Sequence, residues 1–449
     1  MRLELTRAAL AIATSLALGC GNEPPPSVPR APYAPAPSPP ETLEAQPVVA
    51  PPTPTPSPVI VPAPAPATPS KDPSIFAPPH APGQDPVVLQ LLSGGSAALK
   101  TVVANPEKHR FQLLYSRVRE GATPSLERHG HRVDAEYFFP ASTMKVPIAL
   151  ATFDLLPALR GAGRPGLTRD ATLRIHPVAG TAEPHVTTLA RETWRALIVS
   201  DNASANRLLG VVGHREVHET LWSLGLSSAR IRAGFSTGGE IDPAEVSPRI
   251  EIDGGTAELA ARRSDLVLPP TEATGLDIGK AYVTDGRRVE GPLSFASRNA
   301  MRLRDLQDTL VRIVRPELLD PGAAADTASK DDLAYVRQAL GTLPSESGLA
   351  GFSRNVVADY QYVPFLRGIE RVLPRGRFRI FTKVGQAFGF LVANAYIVEK
   401  DTGRSFFLIA SVYANPDETL NDDRYAYDTI STPALADIAE AACRHAFAP

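Results

Sequence analysis

Ser142 and Lys145 stand three residues apart in the run Phe138-Phe139-Pro140-Ala141-Ser142-Thr143-Met144-Lys145-Val146-Pro147-Ile148, which pairs a nucleophile with a possible base. A serine hydroxyl attacks poorly until a neighbour takes its proton, and a lysine can take it only where burial or nearby positive charge lowers its pKa. One helical turn brings residues i and i+3 onto the same face, so the pair needs a helix to work. Pro140 supplies the boundary, because it cannot donate a backbone hydrogen bond and biases Phe139 toward extended geometry. The run therefore predicts a strand over Glu136 to Phe139 and a helix from Ser142. Ser-x-x-Lys alone also describes a capped helix with a surface lysine, so other residues must decide.

Two further sets bear on that decision. Ser200-Asp201-Asn202 falls between two helical patterns, and Lys383-Val384-Gly385 continues the alternating run Arg377-Phe378-Arg379-Ile380-Phe381-Thr382. The chain has eight lysines against thirty-eight arginines, and two of the eight are Lys145 and Lys383. Those are positions where the chemistry wants an amine able to lose its proton, which arginine cannot do.

The elements that must hold these residues follow from periodicity. Val87 to Leu92 and Ala97 to Val103 read as short helices broken by Gly94-Gly95, and Phe111 to Val118 reads as a strand. Thr187 and Thr188 are candidate caps for a helix with Leu189, Trp194, Leu197 and Ile198 on its apolar side. Ala205, Leu208, Leu209 and Val212 keep the i, i+3, i+4, i+7 spacing of a second. Between Gly234 and Gly376 the signals are sparse, with acid- and glycine-rich loops near Glu240 to Gly255 and helices over Arg302 to Val311 and Asp331 to Leu340. Strands over 377–383, Phe390 to Val398 and Ser405 to Tyr413 follow, the last two joined by the turn Asp401-Thr402-Gly403-Arg404. A final helix is expected with Thr432 as cap and Pro433 in its first turn. The fold class expected is α/β in the α+β sense. Its antiparallel sheet is drawn from 108–140 and 377–415, flanked by helices, with a mostly helical insertion over about 142–375.

At 449 residues, 43% hydrophobic and formal net charge −2, the chain is long enough for a sizeable core and has no basic excess that would suit a nucleic acid. Arg2 and Arg7 precede an apolar run from Ala8 to Leu18, too short to span a bilayer and laid out as a secretory signal. With Cys20 it resembles a bacterial lipoprotein signal, which implies lipidation of Cys20, and Gly21 suits an outer-membrane destination facing the periplasm. From Pro24 to about Pro82 the chain is Pro/Ala/Ser/Thr-rich, with nineteen prolines between Pro24 and Pro69. Such a segment favours polyproline II and acts as a semi-rigid tether over 21–84, reaching somewhat under ~200 Å at ~3.1 Å per residue. Folding is expected from Asp85, giving one domain over 85–449. Cys443, the only other cysteine, then has no partner within the mature chain and reads as a small buried apolar residue.

Taken in order, Ser142-x-x-Lys145, Ser200-Asp201-Asn202 and Lys383-Val384-Gly385 resemble the motifs of the penicillin-recognising serine hydrolases, the class A β-lactamases and D-alanyl-D-alanine peptidases. The resemblance covers roughly Asp85 to Phe447. It implies Ser142 as the acylated nucleophile, Lys145 as its proton acceptor, Ser200 as the relay to the leaving amine and Asn202 as holder of the substrate amide and of Lys145. It also implies positive charge from Lys383, an oxyanion hole from the N–H groups of Ser142 and Gln386, and room for substrate along the strand at Gly385. Two departures stand out. Val384 replaces the hydroxyl residue usual between the strand lysine and glycine. No Glu-x-x-x-Asn follows the second motif, since no asparagine lies between Asn206 and Asn299; Glu240, Asp242 and Glu245 are the nearest acids.

The expected activity is a serine hydrolase of the β-lactamase type, acting on β-lactams or D-alanyl peptides with slow deacylation. A D-Ala-D-Ala peptidase or esterase on the same fold and a non-catalytic peptidoglycan-binding lipoprotein are the alternatives. Expected partners are a small-molecule β-lactam or wall peptide and the membrane through the lipid, for a monomer that binds no nucleic acid. His214-x-x-x-His218 has a spacing that can bind zinc, with Glu216 and Glu219 near, but no third ligand is evident, so no metal or cofactor is expected. His129 and His131 are placed in a polar loop.

Overall fold

Side-chain alternation along the late strands builds the sheet. In the computed structural model, which describes residues 85–236, 244–320 and 322–448, strands β1 (Gln112–Arg119), β2 (Ser125–His131), β3 (Phe378–Ala387), β4 (Phe390–Glu399) and β5 (Ser405–Tyr413) pair antiparallel in the order β3-β4-β5-β1-β2. The expected signal with Cys20, the tether, Glu240 and Asp242 lie outside the described residues. Strand side chains point alternately to the two faces. Leu391, Ala393, Ala395 and Ile397 accordingly join one buried cluster, while Phe390, Val392 and Tyr396 join the other.

The chain enters through α1 (Pro86–Leu92), whose first N–H groups are capped by Asp85, and α2 (Ala97–Ala104). The opposite face is covered by α3 (Lys145–Gly161), α4 (Leu189–Ile198), α5 (Asn202–Val212), α6 (His214–Ser223), α7 (Leu303–Val314) and α8 (Lys330–Leu340). Short α9 (Leu366–Ile369) and α10 (Thr432–Phe447) return to the face of α1 and α2, where Leu435, Ile438 and the buried Cys443 pack.

Four expectations change. The stretch from Glu136 to Pro140 is not a strand; it is apolar because Tyr137, Phe138 and Phe139 are buried as irregular chain, with Tyr137 N–H bonded to Thr274 O at 2.9 Å. The second early strand is β2, so His129 and His131 lie on a sheet edge and not in a loop, with His129 Nδ1 3.0 Å from an Asp85 oxygen. Thr432 does not cap α10: a wider helical turn over Tyr427–Ser431 leads into it, and Thr432 already has helical backbone angles. The insertion also holds short strands, including the pair Ala281–Thr284 and Arg287–Glu290, of which the first lies parallel to Thr419–Leu420.

The long connection from α6 to α7 leaves and rejoins the helices at one neck, where Arg230 and Ala300 exchange backbone bonds of 2.8 and 2.9 Å. Asn299 braces that neck by accepting from Arg232 and Ala233 N–H and donating to Ala233 O.

Candidate active site

The nucleophile's element is a tight 3₁₀ turn, Ala141–Met144, that hands over to α3 at Lys145. The helix thus begins one residue earlier than expected, and Ala141 takes a left-handed φ of 46° to turn the chain. In 3₁₀ geometry residues i and i+3 eclipse, which stacks Ser142 over Lys145 more directly than an α-turn does. Lys145 is fully buried, and its Nζ donates to Ser200 O and Asn202 Oδ1 at 2.5 Å each and lies 3.2 Å from Ser200 Oγ.

Ser200 reaches this point from the α4–α5 connection with φ 61°, a conformation rare outside glycine. Asp201 holds it there. Its carboxylate caps α5 at Ser204 N–H, 2.8 Å, and pairs with Arg195 at 2.8 Å. Burial pushes the Asp201 carboxyl up, but the hydrogen bonds from Ser204 and Arg195 outweigh it and keep its pKa below the usual value. Asn202 donates to Ser236 O at 2.5 Å, and one turn on, Asn206 bonds both the N–H and the C=O of Phe235. The α5 asparagines therefore hang residues 235–236 beside Lys145, whose Nζ lies 4.8 Å from the Phe235 ring centre.

Lys383 comes from β3. Its Nζ is 2.9 Å from Ser200 Oγ and 2.9 Å from Val384 O. Burial first, and the charge of Lys145 second, push its pKa well below that of a free amine. The positive charge expected of Lys383 is therefore the form that its own environment disfavours. Both amines lie within hydrogen-bond distance of Ser200 Oγ, so the hydroxyl can pass its proton on and take one back from a neighbouring amine, as a relay to a leaving nitrogen needs.

The backbone of β3 supplies the remaining part. Ala387 and Phe390 close a two-residue loop and pair in register, so the next pair, Gln386 with Leu391, is the non-bonded kind and turns the Gln386 N–H to the open edge of the sheet. The Ser142 N–H, in a first helical turn, has no intrahelical acceptor. Gly385 has a different reason from the one expected. A Cβ there would lie 2.4 Å from Pro140 O and 2.9 Å from Ser142 N, so glycine lets the strand close on the nucleophile's turn and does not merely make room for substrate. Val384 packs toward the α10 face.

Glu245 is held elsewhere: its carbonyl accepts from Ser264 N–H, and its carboxylate acts on His214. His214 and His218 are both buried in the packing of α6. His218 Nε2 accepts from Ile231 N–H at 2.9 Å and its Nδ1 bonds His214 O, so both ring nitrogens already have backbone partners. Asn206 and Phe235 were not singled out from sequence. The Asn202-x-x-x-Asn206 spacing on one helix face was the available signal.

A family model described as the beta-lactamase enzyme family matches residues 97–329, just over half of the chain, and the chain belongs to that family. The match takes in the first two motifs and stops before Lys383. Similar solved structures include the chromosome-encoded β-lactamase of Vibrio parahaemolyticus, with 15% identity, 77% of this chain and 97% of that one covered, and TM-score 0.43. A β-lactamase from Sphaerobacter thermophilus has 16% identity, 80% and 96% coverage and TM-score 0.44. One from Burkholderia vietnamiensis has 14% identity, 79% and 98% coverage and TM-score 0.43. A search of curated proteins finds no match.

Proposed function

We propose that the protein is a serine hydrolase that opens β-lactams, or cleaves D-alanyl peptides, through an acyl-Ser142 intermediate. The observation that carries this reading is the convergence of Lys145 and Lys383 on Ser200 Oγ, with Lys145 following Ser142 by three residues and the Lys383 strand closing on the Ser142 turn at Gly385. Lys145, as the neutral amine, takes the Ser142 proton while Oγ bonds to the substrate carbonyl carbon. The oxygen's charge is held by the N–H groups of Ser142 and Gln386, each such donor contributing about 2.7–4 kcal/mol in other serine hydrolases. As the C–N bond breaks, Ser200 gives its proton to the leaving nitrogen and recovers one from a neighbouring amine. Deacylation is slow in this reading, because no Glu-x-x-x-Asn is available to activate water.

Labelling with a fluorescent penicillin, followed by intact-mass detection, tests the assignment: wild type acquires one adduct, and Ser142→Ala and Lys145→Arg do not. A wild type that resists β-lactams and activated esters alike, yet retains peptidoglycan, supports the binding alternative instead. We also propose that Cys20 is lipidated and that the proline-rich segment tethers the domain to a membrane facing the periplasm. Metabolic labelling with a fatty acid that marks Cys20→Ser as strongly as wild type overturns that address.

A further inference from the structure

The hairpin that carries Gln386 turns through a residue badly suited to its conformation. Phe388 and Gly389 form the whole loop between β3 and β4, with φ of 52° and 83°. Both values belong to the type I′ turn, for which Asn-Gly is the preferred pair. Glycine suits the second position, and its N–H is fixed by the Tyr427 hydroxyl at 2.7 Å. A bulky side chain in the left-handed region is an outlier that persists only where its surroundings over-determine it.

Those surroundings are aromatic. The buried Phe388 ring meets Phe139 edge to face at 5.1 Å and 85°, and Phe295 at 5.3 Å and 88°, while Phe139 and Phe295 lie 5.7 Å apart. The Arg298 guanidinium stands 5.8 Å over the Phe388 ring. Each ring comes from a different part of the chain. Phe388 follows Gln386 by two residues, Phe139 precedes Ser142 by three, and Phe295 ends the long excursion between α6 and α7. The clasp thus bridges the two backbone segments that bear the oxyanion donors, on the side of the Gly385–Pro140 contact away from the lysines.

We propose that Phe388 is a positioning residue for acyl transfer. Locked in the left-handed conformation by Phe139 and Phe295, it sets the separation and angle between the Gln386 and Ser142 N–H groups. The α6–α7 excursion contributes to catalysis by supplying Phe295. This rests on the acyl-Ser142 reading. The strain at residue 388 then has a use, since a relaxed turn would leave the Gln386 N–H free to swing with the hairpin tip.

Phe388→Asn tests it, because asparagine accepts the turn but removes the ring; Phe295→Leu removes the partner ring and leaves residue 388 untouched. Acylation by a chromogenic cephalosporin is resolved into noncovalent affinity and acylation rate constant, with circular dichroism to confirm folding. In both variants the rate constant falls about 10- to 100-fold, as expected for a misplaced oxyanion donor, while affinity changes less than about threefold. Phe388→Tyr, which keeps the ring, stays within about threefold of wild type in both. If Phe388→Asn does not fold, Phe295→Leu decides. Folded variants that acylate as fast as wild type overturn the proposal alone, whereas a wild type that is never acylated overturns the serine-hydrolase reading and this proposal with it.

Discussion

Lys145 and Lys383 share one oxygen, their amine nitrogens lying 3.2 and 2.9 Å from Ser200 Oγ. Both side chains are buried, and two neighbouring buried amines disfavour each other's charge. Lys383 shows the result in its strongly lowered pKa, caused by burial and then by Lys145. The arrangement sets two amines against one hydroxyl, a geometry in which a proton can pass among the three groups.

A lowered lysine pKa means that the ammonium is lost at lower pH than in a free side chain. If protonated Lys383 feeds Ser200, the acylation rate declines as pH rises through a value well below the ordinary 10.5. Lys383→Arg cannot titrate in this range, so its residual acylation should be flat where wild type declines. The acylation rate constant measured against pH gives the comparison; the same basic limb in Lys383→Arg would assign it to another group.

Gly385→Ala places a methyl 2.4 Å from Pro140 O and 2.9 Å from Ser142 N, both backbone atoms that cannot step aside without moving the nucleophile. Overpacking of this kind costs about 1–3 kcal/mol, and displacing the nucleophile by ~1 Å should lower acylation about 10²-fold. Thermal melting and acylation rate should fall together. Unchanged acylation would show that the strand and the turn are less closely coupled than this contact implies.

Asp305, at the neck of the α6–α7 excursion, accepts from both Ser228 N–H and Ser228 Oγ–H, yet burial pushes its pKa from 3.8 up to about 6. A raised carboxyl pKa favours folding below about 3.8, and that contribution is lost as pH climbs through about 6. Asp305→Asn keeps an acceptor for Ser228 and never ionises. It should exceed wild type in stability above pH 6 by an order of 1–3 kcal/mol, the gap closing as the medium is acidified toward pH ~4. Urea midpoints at the two pH values measure it, and a pH-independent difference would contradict the burial argument.

The legibility of this site from sequence depended on how local each relationship is. Ser142 and Lys145 were readable because one turn joins them, β3 because its residues alternate, and β4 and β5 because each is an apolar run buried on both faces, with the turn Asp401-Thr402-Gly403-Arg404 between them. Phe138-Phe139 misled because irregular chain buried on all sides is as apolar as a strand. Strand β2, Ser125-Leu126-Glu127-Arg128-His129-Gly130-His131, was passed over because an edge strand with charged side chains looks like a loop. Three motifs in order suggested a common site. Only the fold shows that Gly385 is small to admit the Pro140 carbonyl, or that Phe388 belongs with Phe139, since those neighbours are distant in sequence.

In the proposed function the acyl-Ser142 enzyme forms faster than it hydrolyses, since general-base help with water is worth ~10²–10⁴-fold and no Glu-x-x-x-Asn follows Asn202. Rapid mixing with a chromogenic cephalosporin, quenched for intact mass and peptide mapping, tests this most directly. The expected result is a burst of about one product per protein, then a slow steady state, with the adduct on Ser142 throughout. Fast linear turnover with no burst and no trapped adduct would contradict slow deacylation and direct attention to Glu240 and Asp242, since Glu245 is engaged at His214.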